Sequence, residues 1–239
     1  MDGGRTEGRR LITRGNVDGL ACAAIFLREY PDSPISFVTS PTAGAAALSS
    51  VQEKYVFLAD LALVPEMRQA IARWGHDRSL VFIDHHPLPP RAHLPMITTM
   101  VEESSSAAGL LHGMLGSAPQ MDRMVAMADL IEGGNSTILS KETAVHGRER
   151  MEEECRLLDF AWRLDLDDDR FRMRTARELS KGRWPSEIGE IRGRHQAAQE
   201  TWRRALERVR KSMTVRGDVG ILDFSEKRRT LFGFGTRAA

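Results

Sequence analysis

Four short stretches are apolar with almost no polar alternation: RLITRG, ISFVTS, YVFLAD and LVFID. Helical patterns separate them, over residues 18–29, over the alanine-rich 43–51 and over 65–74, where Pro65 suits a first helical turn. A strand with one wet face alternates, whereas a strand apolar throughout is covered on both sides. The pattern therefore predicts an α/β fold: a parallel sheet with helices on both faces, MITTMV adding a further strand. From about Ser104 the chain reads as helical, through SSSAAGLLHGML, MDRMVAMADLIEG and ETAVHGRERMEEECRLLDFAWRL, and Gly133-Gly134 closes the second of these. A long helix over residues 186–213 is marked by Ile188, Ile191, Ala198, Trp202, Ala205 and Val209 at three- and four-residue spacing. Arg204, Arg208 and Lys211 fall on its opposite face. VGILDF, from Val219, and RTLFGFG then read as strands with no helix to cover them. The expected organisation is a disordered tail over 1–10, an α/β domain over 11–183, a connecting helix over 184–213, and the first strands of a second domain over 214–239.

With 239 residues, 41% of them hydrophobic, the chain can build a substantial core. The longest apolar run, Leu20 to Leu27, is far short of the roughly 18 residues that mark a membrane span. The opening MDGGRTEGRR has no apolar stretch of the kind a secretory signal needs. Cys22 and Cys155 both sit in helical patterns, which suits buried thiols in a reducing cytoplasm better than a disulfide framework. The net charge of +1 conceals a split: residues 1–169 hold 16 Lys/Arg against 25 Asp/Glu, and residues 170–239 hold 18 against 8. Either the halves attract each other, or the basic arm meets a polyanion.

In a parallel α/β sheet, ligands bind at the carboxyl ends of the strands. There the sequence puts Arg14, Asn16 and Asp18 after the first strand, Asp60 after the third, and Asp84, His85 and His86 after the fourth. Asp129 lies inside an apolar helix. Each has an ordinary explanation alone. Asp18 suits a helix N-cap, Asp60 a turn cap, His85 a satisfied core histidine, and Asp129 a partner for Arg123. Together they make an acidic cluster that needs a positive partner. Mixed imidazole and carboxylate groups favour Mn²⁺ or a similar first-row ion, with Mg²⁺ as the alternative.

IDHHP at 83–87, ITRGNVDGLACAA, VFLADLAL, MADLIEGG and EESSSAAGLL resemble the motifs of the DHH phosphoesterases. The first motif is most similar to the archaeal RecJ-like form, usually His-x-Asp-x-Asp-Gly. The resemblance implies that Asp18, Asp60, His85 and Asp129 hold one metal ion, that His86 faces a substrate phosphate, and that Asp84 orients a histidine. The chain departs from the family where Arg14 and Asn16 replace the His and Asp that help hold a second ion. Arginine cannot coordinate a metal, but it can grip a carboxylate or phosphate through paired hydrogen bonds. Three ligand carboxylates set against Arg14 leave two negative charges, which one divalent ion neutralises.

The resemblance therefore implies a RecJ-like protein that binds single-stranded nucleic acid or a short oligonucleotide with one Mn²⁺ and hydrolyses it slowly or not at all. Arg204, Arg208, Lys211 and, more weakly, Arg237 are the expected substrate contacts. The rival is a catalytically silent scaffold in a replication or repair complex, joined to a protein partner or to itself through exposed C-terminal strands. A pyrophosphatase is third, because the first motif of that class is spaced differently. The family's second domain, DHHA1, would start within 214–239, and its glycine-rich histidine motif does not occur in this chain.

Overall fold

The computed structural model describes residues 8–74, 78–88, 94, 98–102, 106–216 and 219–221. Five parallel strands form one sheet: β1 (Arg9–Arg14), β2 (Ile35–Val38), β3 (Tyr55–Ala59), β4 (Ser79–Asp84) and β5 (Thr98–Val101). Their order is β2-β1-β3-β4-β5. Adjacent residues on a strand face opposite sides, and both sides are dry. Leu11, Phe57 and Ile83 enter one core, whereas Ile12, Leu58 and Phe82 enter the other. This accounts for the missing polar alternation.

Helices α2 (Pro41–Ser50) and α3 (Pro65–Ala72) cover the second face with Leu48, Met67 and Ile71. The first face carries α1 (Val17–Glu29), α4 (Ala107–Leu115), α5 (Asp122–Glu132), α6 (Thr137–His146), α7 (Arg148–Arg163) and α8 (Asp169–Ser180). The run Leu20–Leu27 is α1, buried on every side, as a helix apolar all round must be. Both cysteines are buried free thiols.

Several details differ from the sequence expectation. The first strand starts at Arg9, inside the expected tail, because Arg10 bonds Ser36 at 2.8 Å and Glu53 at 2.7 Å. The helical stretch from Glu142 to Leu164 breaks at Gly147, which takes a φ of +83° and separates α6 from α7. The apolar pattern does not mark helix α8, since DRFRMRTARELS shows a strongly charged surface.

The long helix α9 runs Gly189–Ser212 after a 3₁₀ turn at Pro185–Glu187. Buried Glu154 fixes that turn by accepting from the Ser186 N–H at 2.8 Å and the hydroxyl at 2.5 Å. The apolar stripe of α9 is packed as expected, with Ile191, Ala198 and Ala205 buried. Two short strands follow, β6 (Thr214–Arg216) and β7 (Val219–Ile221), paired antiparallel. The apolar pattern indicates only the second of them. RTLFGFG and Arg237 lie outside the described residues. Among the described residues, no helix is long and apolar enough to cross a membrane.

Candidate metal centre

A sheet of this order changes winding direction between β1 and β3, and the crevice outside those strand ends is where open α/β sheets bind ligands. At the end of β1 the chain turns sharply into α1. A Cβ on Gly19 would overlap the carbonyl oxygen of Arg14, so only glycine lets the helix start this close to the strand. Asn16 caps α1, its side-chain oxygen accepting from Gly19 N–H at 2.9 Å. Asp18, the residue expected as a possible cap, is fully buried and reaches a different helix. Its two oxygens accept from the N–H groups of Ala107 at 2.9 Å and Ala108 at 2.8 Å, the first turn of α4.

Asp60 follows β3 in the left-handed region, φ +56°, an uncommon conformation for a side-chain-bearing residue. Its N–H donates to Ile83 carbonyl at 3.1 Å, tying it to β4. Both of its carboxylate oxygens are buried without a hydrogen-bond partner. Asp84 ends β4 in full burial, one oxygen 2.7 Å from His86 Nδ1 and the other unpartnered. His85 Nε2 lies 3.6 Å from Asp60, 3.8 Å from Asp18 and 3.9 Å from Glu132.

Asp129, on α5, accepts hydrogen bonds at both carboxylate oxygens. One oxygen accepts from the N–H of Ser106 at 2.9 Å and its hydroxyl at 2.6 Å, and the other from the Ser136 hydroxyl at 2.5 Å. It therefore ties the starts of α4 and α6 to α5. Arg123, its suggested partner, instead bonds Gly182 carbonyl at 2.5 Å and stacks on Trp184. The acid that α5 brings towards His85 is Glu132, one turn further on, which the sequence reading missed. Positions three apart share a helix face, so Asp129 and Glu132 in DLIE could have been read together.

Arg14 is half-buried at the end of β1, and its charge acts on Glu132. Arg204, Arg208 and Lys211 are exposed on α9, well along the chain from this cluster, and Arg204 pairs with Glu200 at 2.8 Å.

Crowded acids strain one another. Burial, then the charge of Asp60, pushes the Asp18 carboxyl well above the usual range against the pull of its two helix N–H groups. Burial and Asp60 raise Glu132 as well. Asp60 is the main cause that lifts His85 to about 9, with Asp18 and Glu132 adding to it. Asp84 raises His86 through their hydrogen bond. The possible ligand atoms of Asp60, Asp84, His85 and His86 lie within 4.8 Å of one another, as do those of Asp18, His85 and Glu132. A cation would satisfy the orphaned oxygens of Asp60 and Asp84 and the unpartnered Nε2 of His85 together. The donor set thus fits a metal ion, with His85 common to both groups.

The protein is an α/β protein with the DHH phosphoesterase fold and a RecJ-like topology. It is similar to the pGpG-specific phosphodiesterase PggH from Vibrio cholerae, with a TM-score of 0.57 and 17% identity over 92% of this chain and 69% of that one. It is also similar to RecJ from Thermus thermophilus, solved in complex with Mn²⁺, with a TM-score of 0.53 and 15% identity over 87% of this chain and 37% of RecJ. No family model matches the sequence, and no curated protein matches it.

Proposed function

We propose that this chain is a phosphodiester-binding protein of the DHH type that holds one divalent ion, Mn²⁺ in preference to Mg²⁺, and hydrolyses its substrate weakly or not at all. The substrate class is single-stranded nucleic acid or a short oligonucleotide. The observation that supports this most is the Asp60 carboxylate, buried with neither oxygen hydrogen-bonded and facing His85. Asp18, Asp60, His85 and Glu132 would hold the ion, and Asp129 would brace the helices around it. Three of these carboxylates against Arg14 leave two negative charges, so Glu132 takes the place in the tally that the sequence assigned to Asp129.

Bound there, a divalent cation supplies Lewis-acid polarisation of a phosphoryl oxygen and acidifies a water. The protein's own groups do the rest. Asp84 fixes the ring of His86 through Nδ1, which presents the far side of that ring to a phosphate. Arg14 offers a planar set of donors at the end of β1, suited to a phosphate oxygen pair. Asn16 has its carbonyl oxygen on the α1 cap, and Arg14 cannot ligate a metal, so the usual second ion has lost two ligands. The same loss supports the rival reading of a silent scaffold.

Metal stoichiometry and cleavage of a labelled oligonucleotide, measured together in Mn²⁺, decide between them. The proposal expects one ion per chain, with binding lost in Asp60→Ala. Oligonucleotide binding that chelator does not affect, without cleavage, favours the scaffold. The double change Arg14→His with Asn16→Asp is expected to create a second metal site. A stoichiometry that stays at one in that variant would overturn the roles given to these two positions.

A further inference from the structure

We infer that a cleft at the far end of α1 is a second ligand site, built for a phosphate ester the size of a mononucleotide. Its volume is about 520 Å³, within the range of small-molecule sites. Leu27 lines it and lies nine residues after Asp18, roughly 14 Å along the helix axis, so the cleft is separate from the metal centre. The last turn of α1, the basic face of α8 and the start of α9 form its walls.

The charges of this cleft are unevenly paired. Both of its acids are already ion-paired. Glu190 takes two bonds from Arg174, at 2.6 and 3.0 Å, and Glu178 takes one each from Lys181 and Arg183, both at 2.6 Å. Arg28 and Arg177 also line the cleft and have no acidic partner among the described residues. Two guanidinium groups from different helices facing one space provide the planar, multidentate donors that a phosphate accepts.

A lone phosphate would fill only a small part of this volume. Leu27, Pro31 and Ile188 supply an apolar wall, which suits a ring carried on the phosphate. Arginine planes also stack on aromatic rings. Chemistry and size together point to a nucleoside monophosphate.

The test is calorimetric titration of the full chain in EDTA and low salt with 5′-AMP, inorganic phosphate and adenosine. One molecule of 5′-AMP is expected to bind, with phosphate at least tenfold weaker and adenosine not detectable. Arg28→Glu and Arg177→Glu should each weaken 5′-AMP at least tenfold, while Asp60→Asn leaves it unchanged. Arg→Gln at either position serves if the reversed charge impairs folding, with thermal melting as the check. The proposal is overturned by any of four results: no saturable 5′-AMP binding at millimolar concentration, affinity unmoved by both arginine variants, affinity lost in Asp60→Asn, or phosphate as tight as 5′-AMP.

Discussion

Asp60 carries a carboxylate that its surroundings bury and leave without a hydrogen bond. A buried charge without hydrogen bonds is costly, and three carboxylates lie within 4 Å of the imidazole of His85. Asp60→Asn removes one charge and keeps a residue that tolerates a left-handed backbone. In chelator the variant should be more stable than the parent by about 1–3 kcal/mol in denaturant unfolding, while calorimetry shows metal binding lost. An equal or lower stability would mean that the Asp60 oxygens are satisfied in some other way. Gly15 makes the opposite point. A Cβ there would overlap the buried Arg172 guanidinium, which bonds Asp169 and the Leu166 carbonyl. Gly15→Ala should destabilise by about 1–3 kcal/mol. A double-mutant cycle with Arg172→Ala should show coupling, since the Ala side chain gains room once the guanidinium is gone.

At the scale of elements, the first-face helices are joined by polar groups that interrupt the apolar pattern. Glu154 on α7 is buried and accepts both the N–H and the hydroxyl of Ser186. Glu154→Ala leaves two donors unpaired at the turn into α9 and should cost about 2 kcal/mol, read from chemical denaturation. His195, on α9, lies buried against Phe160 of α7, the ring centroids 5.6 Å apart. Burial lowers its pKa below the usual 6.5, opposed by Glu153 and reinforced by Arg156. The unfolded chain therefore takes up this proton first. The contribution of His195 to stability is complete above about pH 6.5 and falls as pH drops through the folded-state pKa. His195→Leu should flatten the melting temperature between pH 7 and pH 5 relative to the parent. An unchanged slope would assign the pH response to other groups.

For the whole molecule, the basic face of α9 gives the charge asymmetry of the sequence a testable place. If Arg204, Arg208 and Lys211 contact a nucleic-acid backbone, affinity for a single-stranded oligonucleotide falls with salt, and replacing all three by Ala reduces the log–log slope by about 2. A slope that does not change would leave these side chains as a solvated helix face. How much of the molecule could be read from its sequence depends on the range of each interaction. The sheet, its two covering layers and the histidine pair after β4 follow from apolar periodicity and from residues adjacent in the chain. These are local signals, and they drew Asp18, Asp60 and His85 to one sheet edge in the reading as in the structure. The acid that α5 contributes could not be chosen that way. Asp129 and Glu132 lie one turn apart on α5, and packing separates them: Asp129 accepts from the hydroxyls of Ser106 and Ser136, one of them 23 residues away in the chain, whereas Glu132 lies 3.9 Å from His85. Likewise Asn16 caps its own helix, whereas Asp18 caps one about 90 residues away. Sequence alone brought Asp18, Asp60 and the residues after β4 to this edge, and not Glu132. Tertiary structure decided which of them are hydrogen-bonded and which are left without a partner, because hydrogen-bond partners are allotted by packing between distant segments.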